Sequence, residues 1–176
     1  MLSCSAVQAV TALLIGADAS IAGPGDPLLI ALTGWPPRPV LAPIDARIWH
    51  THPGGVPGLL DALATTLTTT PHPITSAAVE VIGREIHRTV IPARLIAWAV
   101  LYDDLHPDDT GIHPVRRVDA VDIDQRVYQL YRHADDSAGL VVVDDTPDPA
   151  DTPATQPPLS RLVAACHRST APRHST

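Results

Sequence analysis

An α+β fold is the expectation for this sequence, as a single domain in which an antiparallel meander of about four to six strands is covered by helices. Three observations carry it. Apolar residues recur with a helical period in segments 3–16, 57–70 and 75–90 and with a period of two from Arg94 onward. The strand-like segments of the second half follow one another through links too short for the helical crossovers of a parallel sheet. The chain has 176 residues, 45% hydrophobic and 18% charged, enough to bury one sizeable core and too apolar for general disorder.

Val7, Val10, Leu13 and Leu14 recur at helical spacing up to Gly16, with Ser3 or Ser5 as the N-cap. Residues 27–33 (PLLIALT) form an apolar run between breakers and read as a strand. A second strand is expected at 46–50 (ARIWH), after a Pro-rich stretch over 35–43. Pro57 suits the first turn of a helix whose stripe is Leu59, Leu60, Leu63, Ala64 and Leu67, ending near Thr70. Thr75 caps the next helix, with Ile74 and Val79 as a hydrophobic staple and Val79, Ile82, Ile86 and Val90 on one face. Glu80 and Arg84 are spaced for an ion pair along it, and Pro92 ends it.

Residues 94–102 (RLIAWAVLY) are apolar on both alternating faces, as a central strand must be; Ile96, Trp98 and Val100 point one way and Leu95, Ala97, Ala99 and Leu101 the other. A polar loop is expected over 103–114, then a hairpin of 115–123 and 126–132, and a last strand at 140–143 (LVVV). Gln is a poor residue for a tight turn at 124–125, which leaves the loop length and register open. Residues 146–158 are rich in Pro, Thr and Asp and read as a linker. Leu159, Leu162, Val163 and Cys166 then repeat at i, i+3, i+4 and i+7, a short amphipathic helix that must dock on its own domain or on a partner. The expected organisation is therefore an α+β domain over 1–145, a linker over 146–158, a helix over 159–168 and a disordered tail over 169–176.

A net charge of −7 argues against nucleic acid and anionic membrane surfaces as partners. No run approaches the roughly 18 apolar residues of a membrane span, and the first sixteen residues lack the positive charge of a secretory signal. The expected location is the cytoplasm, where Cys4 and Cys166 would be free thiols. All twelve basic residues are Arg, and Phe, Lys and Asn are absent, the composition of a GC-rich genome.

The sharpest chemical signal is Trp49-His50-Thr51-His52-Pro53. On an extended backbone, histidines at i and i+2 project to one side and can share an ion. The segment resembles the His-Thr-His-Pro segment of JAMM-type (MPN) metalloproteases, in which an upstream Glu is the base and a downstream Asp the third ligand. That resemblance implies a zinc-dependent hydrolase with His50 and His52 as ligands and Asp61 or a distant His as the third. The chain departs from the pattern: it has no Glu before Glu80, leaving Asp26 or Asp45 as stand-ins, and Asp61 lies closer to His52 than the family's spacing puts its ligand. Acidic groups at Asp103, Asp104, Asp108, Asp109, Asp119, Asp122, Asp124, Asp144 and Asp145 lack a calcium-loop pattern and read as solvated hairpin ends, with Arg116, Arg117, Arg126 and Arg132 in exposed cross-strand ion pairs. No nucleophile elbow or phosphate loop is present, and the nine His are too scattered for a pH sensor. The preferred reading is a non-enzymatic protein-binding module without cofactor, its partner engaged by Leu159, Leu162, Val163 and Cys166; the zinc hydrolase is the alternative.

Overall fold

The computed structural model describes residues 1–20, 25–42, 44–68, 77–108, 111–133, 140–145 and 152–170. It is an α+β domain built on one antiparallel sheet of six strands in the order β2-β1-β3-β4-β5-β6. The elements run α1 (Cys4–Ser20), β1 (Leu28–Thr33), β2 (Arg38–Leu41), α2 (Ala46–Thr51), α3 (Gly55–Thr68), α4 (Ala77–Thr89), β3 (Leu95–Asp108), β4 (Gly111–Asp122), β5 (Val127–His133), β6 (Leu140–Asp144) and α5 (Gln156–Thr170). Strands β3 to β6 are the expected meander. The β1–β2 hairpin joins it through β1, which pairs antiparallel with β3.

Each face of the sheet buries its own core. Helix α1 lays Val10 and Leu14 on Ile30, Leu32, Ala99, Leu101, Val118, Tyr128 and Leu130. The other face carries Leu29, Trp98, Val100, Val121 and Val127 under α2 to α5. Ser3 caps α1 by accepting from the Ala6 amide (3.3 Å), and the helix runs past Gly16 because Asp18 in its last turn pairs with Arg132 of β5. Thr75, the expected cap of α4, lies outside the described residues. Helices α3 and α4 meet closely at Gly83, where a β-carbon would stand 2.7 Å from Thr66 Cγ2.

Several elements differ from expectation, each for a local reason. Residues 46–50 are helical, not a strand: Asp45 accepts from the Arg47 amide (2.8 Å) and caps α2, which buries Trp49. The second strand is instead Arg38–Leu41, inside the Pro-rich stretch. The Ala42 amide bonds Leu29 O, so ladder parity turns Val40 and Arg38 toward β1 and leaves Pro39, which has no N–H, facing outward. A bulge at Leu32/Thr33 inserts one residue into β3, so Ile96 joins the α1 core and Leu95 the opposite one, reversing the alternation expected for these two.

The expected loop over 103–114 is a ladder. Among the described residues β3 pairs with β1 only as far as Leu101 and β4 with β5 only from Val115, while β3 and β4 continue to pair with each other as far as Asp108 and Gly111. This two-stranded arm extends beyond the described parts of β1 and β5. The β4–β5 loop is three residues long, closed by the Asp122 amide on Arg126 O (3.1 Å), with Gln125 at φ 68°. Asp122 Oδ1 accepts from the Asp124 and Arg126 amides (2.8 and 3.0 Å) and holds that left-handed residue in place.

Helix α5 begins three residues earlier than expected and packs on α3, β3 and β4. Pro153, Thr155 and Pro158, expected in a free linker, are buried; residues 146–151 and 171–176 lie outside the described residues. Because Leu162 is fully buried in the core, Leu162→Ala should lower stability by about 2–5 kcal/mol in a urea titration. Deleting the chain from Thr152 onward should abolish cooperative unfolding, and a truncated chain with an unshifted midpoint would contradict this packing.

Candidate functional site

The three expected metal ligands are held apart. His50 and His52 belong to a helix and its C-cap, and i and i+2 do not share a helical face. His50 Nε2 meets Asp26 Oδ1 at 3.0 Å on the surface. His52 turns inward over Gly58, where a β-carbon would stand 2.4 Å from Pro53 O, and its buried Nδ1 has no hydrogen-bond partner among the described residues. Asp61 on α3 instead receives Arg161 Nε of α5 at 2.7 Å. Among the described residues no group of three His, Cys, Asp or Glu side chains is placed to hold a metal ion.

The expected partner stripe is absorbed as well. Leu159, Leu162, Val163 and Cys166 are buried against Leu59, Leu60, Leu63 and Trp98 of their own domain. An amphipathic stripe identifies a helix that must dock but not where; here the domain itself offers the apolar surface. Burial pushes the Cys166 thiol up to about 11, against a weaker opposing effect of the neighbouring Trp98 indole. Cys4 is exposed, and both cysteines are free.

Below α5 lies a polar cluster that the sequence disguised as a solvated hairpin. Asp119 on β4 is only 1% exposed. Its Oδ2 accepts from Tyr102 Oη of β3 (2.6 Å) and Thr155 Oγ1 at the entry to α5 (2.5 Å), and its Oδ1 from Arg117 (3.3 Å). Burial, then the charge of Asp119, pushes the Tyr102 hydroxyl far above the ordinary tyrosine range. Burial opposes the charge on Arg117, but the Asp119 carboxylate outweighs it and the guanidinium stays protonated. A carboxylate with both oxygens engaged beside a phenol held protonated is a fastening, not an acid–base pair. On the opposite face Asp122 is likewise buried and receives Tyr128 Oη at 2.8 Å. The signal available in the sequence was the alternation itself: Arg117, Asp119 and Val121 share one face of β4 with an apolar neighbour.

Two features among the described residues stand open to solvent. A groove of about 660 Å³ runs between α3 and α4, lined by Thr66, Leu67, Glu80, Gly83, Arg84, His87 and Arg88. The expected Glu80–Arg84 pair does not form there; the pair along α4 is Arg88 with Glu85 (2.6 Å). The second is the β3–β4 arm. Leu105 pairs with Pro114 and Ile112 with Pro107, so ladder parity sets Leu105, Ile112 and Pro114 on the face that α1 covers further back. Leu105 and Ile112 are 64% and 70% exposed. Comparisons with family models, curated proteins and solved structures gave no match.

Asp119→Ala should destabilise the domain by about 3–5 kcal/mol, because it removes the acceptor shared by Tyr102, Thr155 and Arg117 and leaves the Arg117 guanidinium only Asp104 at 3.6 Å; a urea midpoint close to wild type would refute the fastening. Thiol titration of the native protein should register Cys4 alone and Cys166 only on unfolding. Since the folded thiol titrates near 11 rather than its ordinary 9.0, its contribution to stability is full below pH 9.0 and is lost as pH rises through about 11.

Proposed function

We propose that the chain is a non-enzymatic protein-binding module whose contact element is the β3–β4 arm. The observation that carries this reading is the exposure of Leu105 and Ile112 on one face of a ribbon that extends beyond the described parts of its neighbouring strands. Apolar residues gathered on a protruding element mark contact surfaces, because leaving them in water forgoes about 25 cal/mol for each Å² that a partner would cover.

The ribbon is stiffened at its base. Arg116 pairs with Asp103 (3.3 Å) and Arg117 with Asp104 (3.6 Å) across the two strands. A preformed ribbon loses less conformational freedom on binding than a loose loop of equal length. The matching partner presents an apolar surface. The site of action is the cytoplasm, which suits two unpaired thiols, and no helix among the described residues is long and apolar enough to cross a membrane. The alternative zinc hydrolase has no geometric support at His50, His52 and Asp61.

The test is the double variant Leu105→Ser and Ile112→Ser, compared with wild type by quantitative affinity capture and thermal melting. Recovery of bound partners should fall about tenfold or more, while the melting curve stays in place because the arm lies outside both cores. Equal recovery by the variant would sink the arm as the contact element.

A further inference from the structure

The two edges of the sheet are unequal, and we infer that β6 is the pairing edge through which two copies of this chain join into one continuous sheet. The inference is independent of the function proposed for the arm.

Ladder parity settles which backbone groups face outward. The Asp122 amide bonds Arg126 O, so Tyr128, Leu130 and Arg132 of β5 turn their backbone groups to β4, and Val127, Gln129 and Tyr131 turn theirs to β6. Their partners Asp144, Val142 and Leu140 are thereby engaged. Val141 and Val143 direct their N–H and C=O groups away from the sheet, and among the described residues β6 pairs on its β5 side only. The opposite edge is blunted by Pro39, which offers no outward N–H. β6, LVVVD, has no proline and no charge before Asp144.

This outward pattern is its own complement. A two-fold axis through Val142 sets Val141 opposite Val143 of the second copy and the reverse, two hydrogen-bonded pairs of two bonds each. Val142 then meets its own symmetry mate in the close, non-hydrogen-bonded position, and β-branched pairs on such positions add to sheet stability. Val142 and Val143 are 41% and 40% exposed, on opposite faces of the strand, so both gain cover. Asp144 falls opposite Leu140 of the second copy, about 13 Å along the strand from its own mate, beyond the Debye length of about 8–10 Å. A free extended peptide could use the same groups but has no reason to match this register.

The test is sedimentation equilibrium of the full chain over a concentration series, with amide hydrogen exchange on the same samples. A dimer is expected, with the Val141 and Val143 amides protected in the dimer and exchanging freely on dilution. Val143→Pro removes one outward donor from each copy without touching the β5 ladder, and should weaken association about tenfold or more. Val142→Lys sets two ammonium groups together at the axis and should give a monomer whose thermal melt matches that of wild type diluted to its monomeric state. A wild-type chain that stays monomeric at millimolar concentration, or a dimer that survives both substitutions with Val141 and Val143 unprotected, overturns the proposal.

Discussion

Folding takes the charge of Asp119 out of water, and the helical side of the domain is arranged around that cost. An unpaired buried carboxylate is unfavourable by several kcal/mol. Its three partners come from separate places: Tyr102 from β3, Arg117 from its own strand, Thr155 from the approach to α5. The carboxylate is therefore satisfied only when the central hairpin has formed and α5 has docked. Thr155 also fixes where α5 starts on the sheet, which sets Leu159, Leu162, Val163 and Cys166 over the core rather than beside it.

The other layer is fastened by the same device. Asp18, in the last turn of α1, is buried and receives Arg132 of β5 through two nitrogens. Apolar burial supplies most of the stabilisation of such a domain but is indifferent to register; a short, directional, charge-assisted bond is not. Two carboxylates on two faces thus position two helices that hydrophobic packing alone would hold less specifically, a use of buried charge that fits the low total charge density of the chain.

What could be read in the sequence follows from where one force dominates. β3 was legible because both its faces are apolar, and α3 and α4 because their stripes are unbroken over several turns. Residues 46–51 misled because a single turn of helix is too short for its period to show, while Trp49, His50 and Thr51 suit an extended chain as well; the cap at Asp45 decided it. β2 was hidden by prolines that an edge strand tolerates when they face outward. The arm was hidden by charges that pair across it instead of facing solvent singly. For the site, residue type alone could not tell a solvated Asp from a buried one. Asp119 and Asp122 look like their exposed neighbours until the ladder places them under Tyr102 and Tyr128.

The side chains that serve the fold are not those left for partners. The residues with the most chemical character are turned inward: Asp119 is engaged with Tyr102 and Arg117, Asp122 with Tyr128, and Cys166 is buried in the core. The apolar side chains that the domain shows outward on its strands are Leu105 and Ile112 at one end of the sheet, Val142 and Val143 at one side and Leu41 at the other. These lie in different directions, since the arm continues β3 and β4 along their length whereas β6 borders the sheet laterally. Pairing through β6 about an axis normal to the sheet leaves both arms free and sends them to opposite ends, with both α1 layers on one face. A dimer of that kind presents two identical apolar ribbons at a fixed separation, so a partner with repeated sites would meet the second ribbon at raised effective concentration.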